Sequence, residues 1–224
     1  MQARELIDTA IVPGGDEMRL FRRGGDFMIV LDRVELMSTR MNGSEEALAT
    51  MTCDRLADRS AAHLLIGGYG MGFTLRAALG VLGKAATTTV AELVPEIIAW
   101  ARGPMAGLTA SCLEDPRVRL VERDVATLID TETSAYDAIL LDVDNGPDGL
   151  TRRENNRLYT ARGLASAWQA LRPNGILAIW SAGPDPAFAR RLTQAGFAVD
   201  EVAVRARQNG KGPRHVIWFA KKLS

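Results

Sequence analysis

The chain has 224 residues, 47% of them hydrophobic, and its 27 Lys and Arg residues balance its 27 Asp and Glu residues. This composition predicts one large folded domain, with room for a short appendage, and excludes an intrinsically disordered chain. The zero net charge argues against a nucleic-acid-binding protein and a membrane-surface protein.

The cysteines and the absence of targeting signals bear on metal binding and on where the protein is located. Cys53 and Cys112 occur without a CxxC pair or a neighbouring His, so no metal site is expected. The first 15 residues lack the long apolar core of a signal peptide. No stretch approaches the ~20 apolar residues that a transmembrane helix needs. We therefore expect a cytoplasmic protein without membrane contact.

The N-terminal part of the chain differs in pattern from the rest. Between residues 18 and 39, short apolar runs are separated by Gly- and Asp-containing turns, which predicts a small antiparallel hairpin or meander. The run 44–58 then begins with Ser44 as a candidate N-cap and continues with helical spacing. These patterns predict a β appendage over 1–45 and a larger domain over 46–224.

From residue 61 onward, predicted strands alternate with predicted helices. The strands are HLLIGG (63–68), TTTVAEL (87–93), VRLVERD (118–124), YDAILLDVD (136–144) and ILAIWSAG (176–183), then FAVDEVAVRARQ (197–208) and RHVIWFAKK (214–222). The longest predicted helix is 156–175, ending at Pro173-Asn174-Gly175. This alternation predicts an α/β fold, a doubly wound, mostly parallel seven-stranded sheet with an antiparallel edge pair. In such sheets, ligands bind beyond the carboxyl ends of the strands.

A glycine-rich turn follows the first of these strands. It contains Gly67, Gly68, Gly70 and Gly72. Glycines let the backbone turn sharply and approach a ligand, and the next helix offers free N–H groups at its start. The pattern also fits a tight turn without a ligand, and Phe73 departs from the dinucleotide fingerprint. An NAD-dependent enzyme is for that reason a weaker alternative.

Acidic residues end the next two strands. Glu92 follows the glycines by about 20 residues, where a carboxylate can accept hydrogen bonds from both ribose hydroxyls. Asp124 ends the third strand, where it could receive the amino group of adenine while Val125 packs on the ring. With Leu93 beside Glu92, these residues and the glycine turn predict a binding site for an adenosyl group.

From Gly67 to Lys221 the chain resembles the spermidine synthase family, within the class I methyltransferase-like fold. The matching stretches are LLIGGYGMGFTLRAAL, VAELVPEIIAWAR, DPRVRLVERDV, YDAILLDVDNGP, LYTARGLASAWQALRPNGILAI and RHVIWFAKK. The resemblance implies a sulfonium donor, S-adenosylmethionine or its decarboxylated form, a small-molecule amine acceptor, no metal and a homodimer. It places Asp142 where the family has the aspartate that helps deprotonate the attacking amine.

The chain also departs from the pattern of that family. The glycine loop GGYGMGF lacks the family's aspartate, and SEEALATMTC lacks its Tyr-His pair. The family's second aspartate after the fourth strand falls on Asn145, with Asp144 displaced by one. Trp180 stands where the family often has Gln. These losses favour methyl transfer from S-adenosylmethionine. Aminopropyl transfer in a rebuilt pocket and non-catalytic adenosyl binding are the alternatives.

Several residues are candidates for the acceptor side of the site. Asp142 and Asp144 are the predicted catalytic carboxylates. The predicted acceptor-binding residues are Glu35, Asn145 and Trp180, the last by cation–π contact. Trp180 fits an ordinary core position equally well, and the stretch after Asp142 also fits a plain polar loop. His63 and His215 are expected at strand edges rather than in catalysis. The basic loop 205–214 is either solvated or a lid.

Overall fold

The computed structural model describes residues 3–143 and 155–223. The N-terminal region forms a four-stranded antiparallel sheet in the order β1-β2-β3-β4. Its strands are β1 (Glu5–Ile11), β2 (Glu17–Arg23), β3 (Asp26–Leu31) and β4 (Val34–Ser38). The predicted β appendage therefore has one strand more than the 18–39 pattern indicated, because Glu5–Ile11 pairs with β2.

The second sheet has seven strands in the order β10-β11-β9-β8-β5-β6-β7. The strands are β5 (His63–Gly67), β6 (Thr87–Glu92), β7 (Val118–Glu122), β8 (Tyr136–Leu141), β9 (Leu171–Ser181), β10 (Ala198–Arg205) and β11 (Arg214–Lys221). Strands β5 to β9 pair in parallel, and β11 runs antiparallel to both β9 and β10. The predicted α/β fold with a mostly parallel seven-stranded sheet and an antiparallel edge pair is confirmed.

Helices connect these strands on both faces of the sheet. Those in the described ranges are α1 (Gly43–Asp54), α2 (Phe73–Val81), α3 (Pro95–Arg102), α4 (Ala106–Thr109), α5 (Val125–Thr131), α6 (Asn156–Tyr159), α7 (Ala161–Ala170) and α8 (Pro186–Gln194), with a 3-10 helix at Ala110–Glu114. Alternate residues of β5 point to opposite faces, so Leu64 packs into one apolar cluster and Leu65 into another. The first cluster also contains Leu20 and Ile29 of the N-terminal sheet. The proposed domain boundary at residue 45 stays a prediction.

The predicted N-cap of the first helix is wrong. Helix α1 begins at Gly43 after Asn42, and Ser44 lies inside its first turn. Its hydroxyl donates to the carboxylate of Glu45, at 2.7 Å, rather than accepting a bond from the helix backbone. The serine is free for this contact because it is already helical and has no capping geometry.

The predicted helix 156–175 is two helices and the start of a strand. Thr160, in an extended conformation, separates α6 from α7, and its hydroxyl accepts the N–H of Gly163 at 3.1 Å. This side-chain cap starts a new helix at a point where the spacing of apolar residues in the sequence shows no break. Helix α7 ends at Ala170, and β9 begins at Leu171, before the Pro-Asn-Gly segment.

Candidate active site

The carboxyl ends of β5, β6, β7 and β8 meet at two adjoining cavities. The smaller, about 100 Å³ in volume, is called here the glycine-loop cavity, and its lining includes Gly68, Gly70, Glu92, Leu93, Asp124 and Val125. The larger, about 190 Å³, is called the acidic cavity, and its lining includes Glu35, Glu45, Thr74, Asp142, Trp180 and His215. Asp142 and Met37 line both, so the two cavities meet at a carboxyl group.

The glycine turn has a conformation that only glycine adopts easily. Gly68 has φ +86°, and a side-chain carbon there would lie 2.7 Å from the carbonyl oxygen of Asp142. Gly72 has φ +79°, and a side-chain carbon there would overlap Oγ1 of Thr109. Gly67 and Gly72 are not among the lining residues of either cavity, whereas Gly68 and Gly70 are. The predicted turn therefore divides into two glycines at the cavities and two that pack against protein.

Glu92 anchors this turn. It is 6% exposed, and its carboxylate accepts the backbone N–H groups of Tyr69 at 2.9 Å and of Leu93 and Val94 at 2.8 Å each. Burial raises the pKa of Glu92, while these N–H donors act in the opposite direction. Glu92 lines the glycine-loop cavity as the sequence predicted, but ribose binding by its carboxylate stays a prediction.

Asp124 has two contacts beside the same cavity. Its Oδ1 accepts the N–H of Ala126 at 2.8 Å, which caps α5, and its Oδ2 pairs with Arg157 at 2.6 Å. Val125 follows at the cavity wall and also packs against Gly67. The structure thus brings together the acidic and apolar residues predicted for an adenosyl group. Contact of Asp124 with adenine stays a prediction.

Asp142 follows β8 directly and is held in place by Thr74 of α2. The Thr74 hydroxyl donates to Oδ2 of Asp142 at 2.9 Å, and the Asp142 N–H donates to the carbonyl of Gly67 at 3.2 Å. Burial raises the pKa of Asp142 to about 6, and the bond from Thr74 partly opposes that shift. A carboxylate with a pKa nearer neutrality is better matched to proton transfer at physiological pH.

A second carboxyl group, Glu45, reaches the acidic cavity from the first turn of α1. Burial and the nearby charge of Asp142 raise the pKa of Glu45 to about 8, against the lowering effect of the hydrogen bond from Ser44. Two neighbouring, partly buried carboxyls repel each other when both are ionised, so the pair holds about one proton near neutral pH.

His215 and Trp180 close the acidic cavity from β11 and β9. The Nδ1 of His215 lies 2.9 Å from the hydroxyl of Ser44, and its ring meets Trp180 edge-on with 4.7 Å between centroids. Burial lowers the pKa of His215, which keeps the ring neutral at pH 7. Trp180 is 8% exposed and lines the cavity, so it is at once a core residue and part of the candidate site.

Sequence reasoning missed Glu45, Thr74 and His215. One usable signal existed for Glu45, which lies in the helix where the resembling family carries residues over the acceptor. His215 reaches the site only through the pairing of β11 with β9, which places it beside Trp180.

The other candidate residues have separate outcomes. Glu35 is exposed on β4 and lines the acidic cavity. Asp144 and Asn145 lie outside the described residues. His63 contacts Ala135 and Thr89 and lines neither cavity, in agreement with a structural role. The lid role of the loop 205–214 stays a prediction.

Metal-binding groups and membrane-spanning helices can be assessed for the described residues. Within residues 3–143 and 155–223, no three His, Cys, Asp or Glu side chains are grouped so that they could hold a metal ion. In the same ranges, no helix is long and apolar enough to cross a bilayer.

The chain is similar in sequence to bacterial polyamine aminopropyltransferases. The enzyme of Mycobacterium tuberculosis is 28% identical over 192 residues, which cover 82% of this chain and 35% of that relative. Polyamine aminopropyltransferase 1 of Streptomyces coelicolor is 29% identical over 151 residues, which cover 64% of this chain and 28% of that relative. The chain spans about a third of the length of the first of these relatives. No family model matches it.

Solved spermidine synthases share its fold. The enzyme from Thermotoga maritima superposes with a TM-score of 0.78 at 18% identity and covers 97% of this chain and 73% of its own. A spermidine synthase in complex with the transition-state analogue AdoDATO superposes with a TM-score of 0.77 at 18% identity, covering 97% and 72%. The predicted resemblance to the spermidine synthase-like family is confirmed. These relatives give no support to the methyl-transfer interpretation and favour its aminopropyl alternative.

Proposed function

We propose that this chain catalyses aminopropyl transfer from decarboxylated S-adenosylmethionine to a small amine. The observation that carries the proposal is the charge of the acidic cavity. Glu35, Glu45 and Asp142 line it, and its described lining residues include no Lys or Arg. The carboxylate of S-adenosylmethionine would lie beside these carboxyl groups without a cation to pair with. The decarboxylated donor and an amine acceptor bring only positive charge.

The glycine-loop cavity would hold the adenosyl part of the donor. Gly68 and Gly70 allow close backbone approach, and Glu92 and Asp124 place carboxylates at the ends of β6 and β7. The sulfonium would then lie toward Asp142, which both cavities share. The names of the sequence relatives and the solved neighbours support the same donor class.

Asp142 is the proposed general base. An alkylammonium has a pKa near that of lysine, about 10.4, so it is not nucleophilic until it loses a proton. Asp142 accepts that proton, the amine nitrogen forms a bond to the carbon next to sulfur, and the C–S bond electrons return to sulfur. The hydrogen bond from Thr74 fixes the carboxylate for this task.

Methyl transfer from S-adenosylmethionine is the second candidate. One observation favours it: the glycine loop between β5 and α2 carries no acid for the free amine of an aminopropyl group. The two candidates differ in the donor and in the mass added to the acceptor.

The test is calorimetry followed by a transfer assay. Wild-type protein is titrated with decarboxylated S-adenosylmethionine, S-adenosylmethionine and methylthioadenosine, and then incubated with each donor and a panel of diamines. We expect at least tenfold tighter binding of the decarboxylated donor and a product that carries an added aminopropyl group. Tighter binding of S-adenosylmethionine with a methylated product would establish the second candidate. Binding without transfer to any amine would indicate a non-catalytic adenosyl-binding protein.

A further inference from the structure

We infer that Glu45 binds an ammonium group in the acidic cavity, and that Ser44 and His215 position its carboxyl. The inference rests on the proposed function, because it assigns a charge partner to a substrate of that same site. The group bound belongs to the amine acceptor or to the aminopropyl end of the donor, which share this chemistry. Glu45 thereby supplies a carboxylate that the glycine loop lacks.

The placement of Glu45 is the first observation. It enters the cavity from α1, whereas Asp142 enters from the end of β8, and both line the same space. Glu35 on β4, Tyr69 in the glycine turn and the neutral His215 on β11 are the other titratable groups that line it in the described ranges. An ammonium between Glu45 and Asp142 would relieve the repulsion between the two carboxyls and favour the charged form of both.

The hydrogen bonds around Glu45 fix its orientation. The hydroxyl of Ser44 has one hydrogen, and it donates this to Oε2 of Glu45 at 2.7 Å. When Glu45 is ionised, the contact of 2.9 Å between Nδ1 of His215 and the same hydroxyl oxygen therefore has Nδ1 as the donor. The chain of donors runs from His215 through Ser44 to Glu45. The remaining lone pairs of the carboxylate are available to a ligand.

Trp180 gives an independent indication of a ligand beside Glu45. It is 8% exposed, lines the acidic cavity and packs edge-on against His215. Its indole N–H is buried without an acceptor in the described part of the chain. The N–H cannot bond to an ammonium, which has no lone pair, so the part of Trp180 that suits a cation is the ring at the cavity wall.

The test compares Glu45→Gln with Glu46→Gln. Glu46 is the next residue on α1, pairs with Arg76 and Gln208, and lines neither cavity. Methylthioadenosine is the control ligand because it has no ammonium group. We expect Glu45→Gln to bind methylthioadenosine like the wild type. It should weaken binding of the decarboxylated donor, or raise the KM of the acceptor, at least tenfold. This is the effect of losing a hydrogen bond to a charged group. Glu46→Gln should change neither.

The two measurements, donor affinity and the KM of the acceptor, identify which substrate carries the bound ammonium. A loss confined to the donor's Kd assigns the aminopropyl end, and a loss confined to the acceptor's KM assigns the acceptor. Unchanged values in both arms, or an equal loss for methylthioadenosine, would overturn the inference. A wild-type protein that binds methylthioadenosine but no ammonium ligand would overturn it as well. Failure of the proposed function would give a different result: the wild type would bind no adenosyl ligand, or it would transfer a methyl group.

A pH profile tests the positioning role of Ser44. Because its hydrogen bond lowers the pKa of Glu45, Ser44→Ala should move the rise in ammonium affinity to higher pH. Ser44→Thr, which keeps the hydroxyl, should restore the wild-type profile. A profile that does not move in Ser44→Ala, in a protein that binds methylthioadenosine normally, would remove Ser44 from this role.

Discussion

Three acids of the candidate site differ in their hydrogen-bond partners. Asp142 receives a bond from Thr74, and Glu45 receives one from Ser44, so each carboxyl has one fixed oxygen. Glu92 instead accepts backbone N–H groups and holds the glycine turn. The three acids thus have different hydrogen-bond partners, so their surroundings and not their residue type distinguish them.

Asp142→Asn should separate binding from chemistry. Asparagine keeps the size and much of the hydrogen bonding but cannot accept the acceptor's proton. We expect little change in donor affinity and a fall in turnover on the order of a hundredfold or more, the usual share of a general base. Titration calorimetry and steady-state kinetics measure the two effects. A variant with wild-type turnover would exclude Asp142 as the base.

Glu92→Ala should affect both the ligand and the fold. It removes a predicted partner of the ribose, which should weaken binding of methylthioadenosine by roughly 1.5–3 kcal/mol. It also leaves the buried N–H groups of Tyr69 and Val94 without their acceptor, so the melting temperature should fall. Calorimetry and thermal unfolding measure these. An unchanged Kd in the folded variant would take Glu92 out of the ligand site.

Whole elements bring these residues together. Strands β5, β6 and β8 pair in parallel, so their carboxyl ends form one edge, and the residue directly after each strand lines a cavity. Helix α1 adds Glu45 from the side, and β4 adds Glu35 and Met37 from the N-terminal sheet. The glycine turn has to pass between these elements and the backbone of Asp142.

Two alanine substitutions at glycines should act in opposite directions. Gly68→Ala puts a methyl group 2.7 Å from the carbonyl oxygen of Asp142, at φ +86°, and should abolish adenosyl binding and lower stability. Gly80→Ala, in α2, meets nothing within 4 Å and should raise stability by about 0.5–1 kcal/mol, the helix preference of alanine over glycine. Denaturant unfolding and ligand titration measure both. Native affinity in Gly68→Ala would make the turn merely structural.

The molecule as a whole encloses, fully or in part, carboxyl groups that would be ionised in the unfolded chain. The two sheets share an apolar cluster, and α1 crosses from one to the other with Glu45 in its first turn. Burial raises the pKa of Glu45 from 4.5 to about 8 on folding. Between these values the folded state holds a proton that the unfolded state has lost, so stability falls as pH rises.

This coupling predicts a difference in the pH dependence of unfolding. The melting temperature of the wild type should decrease more between pH 5 and pH 8 than that of Glu45→Gln, which has no such proton. His63 and His215, whose pKa values burial lowers, act in the opposite sense in both proteins. Parallel melting temperatures across the range would show that Glu45 titrates alike in the folded and unfolded states.

The order of strands and helices could be read from the sequence because it depends on local patterns. Apolar runs, the glycines of the first turn and the acids at strand ends are all short-range signals, and they placed Glu92, Asp124 and Asp142 at one edge. The break between the two helices at Thr160 could not be read from the sequence. The side chain of Thr160 caps a new helix there, while the helical spacing of apolar residues continues across the break.

Only the tertiary structure decided what surrounds Asp142. Glu45 lies 97 positions before Asp142 in the chain, and His215 lies 73 positions after it, so no local pattern relates them. The packing of α1 against the sheet and the antiparallel pairing of β11 with β9 bring both to one cavity. Burial there raises the pKa values of both carboxyls, which depends on the packed neighbours and not on the residue. The sequence by itself therefore determined the sheet and the predicted ligand edge, whereas the acidic character of the second cavity came from contacts between distant elements.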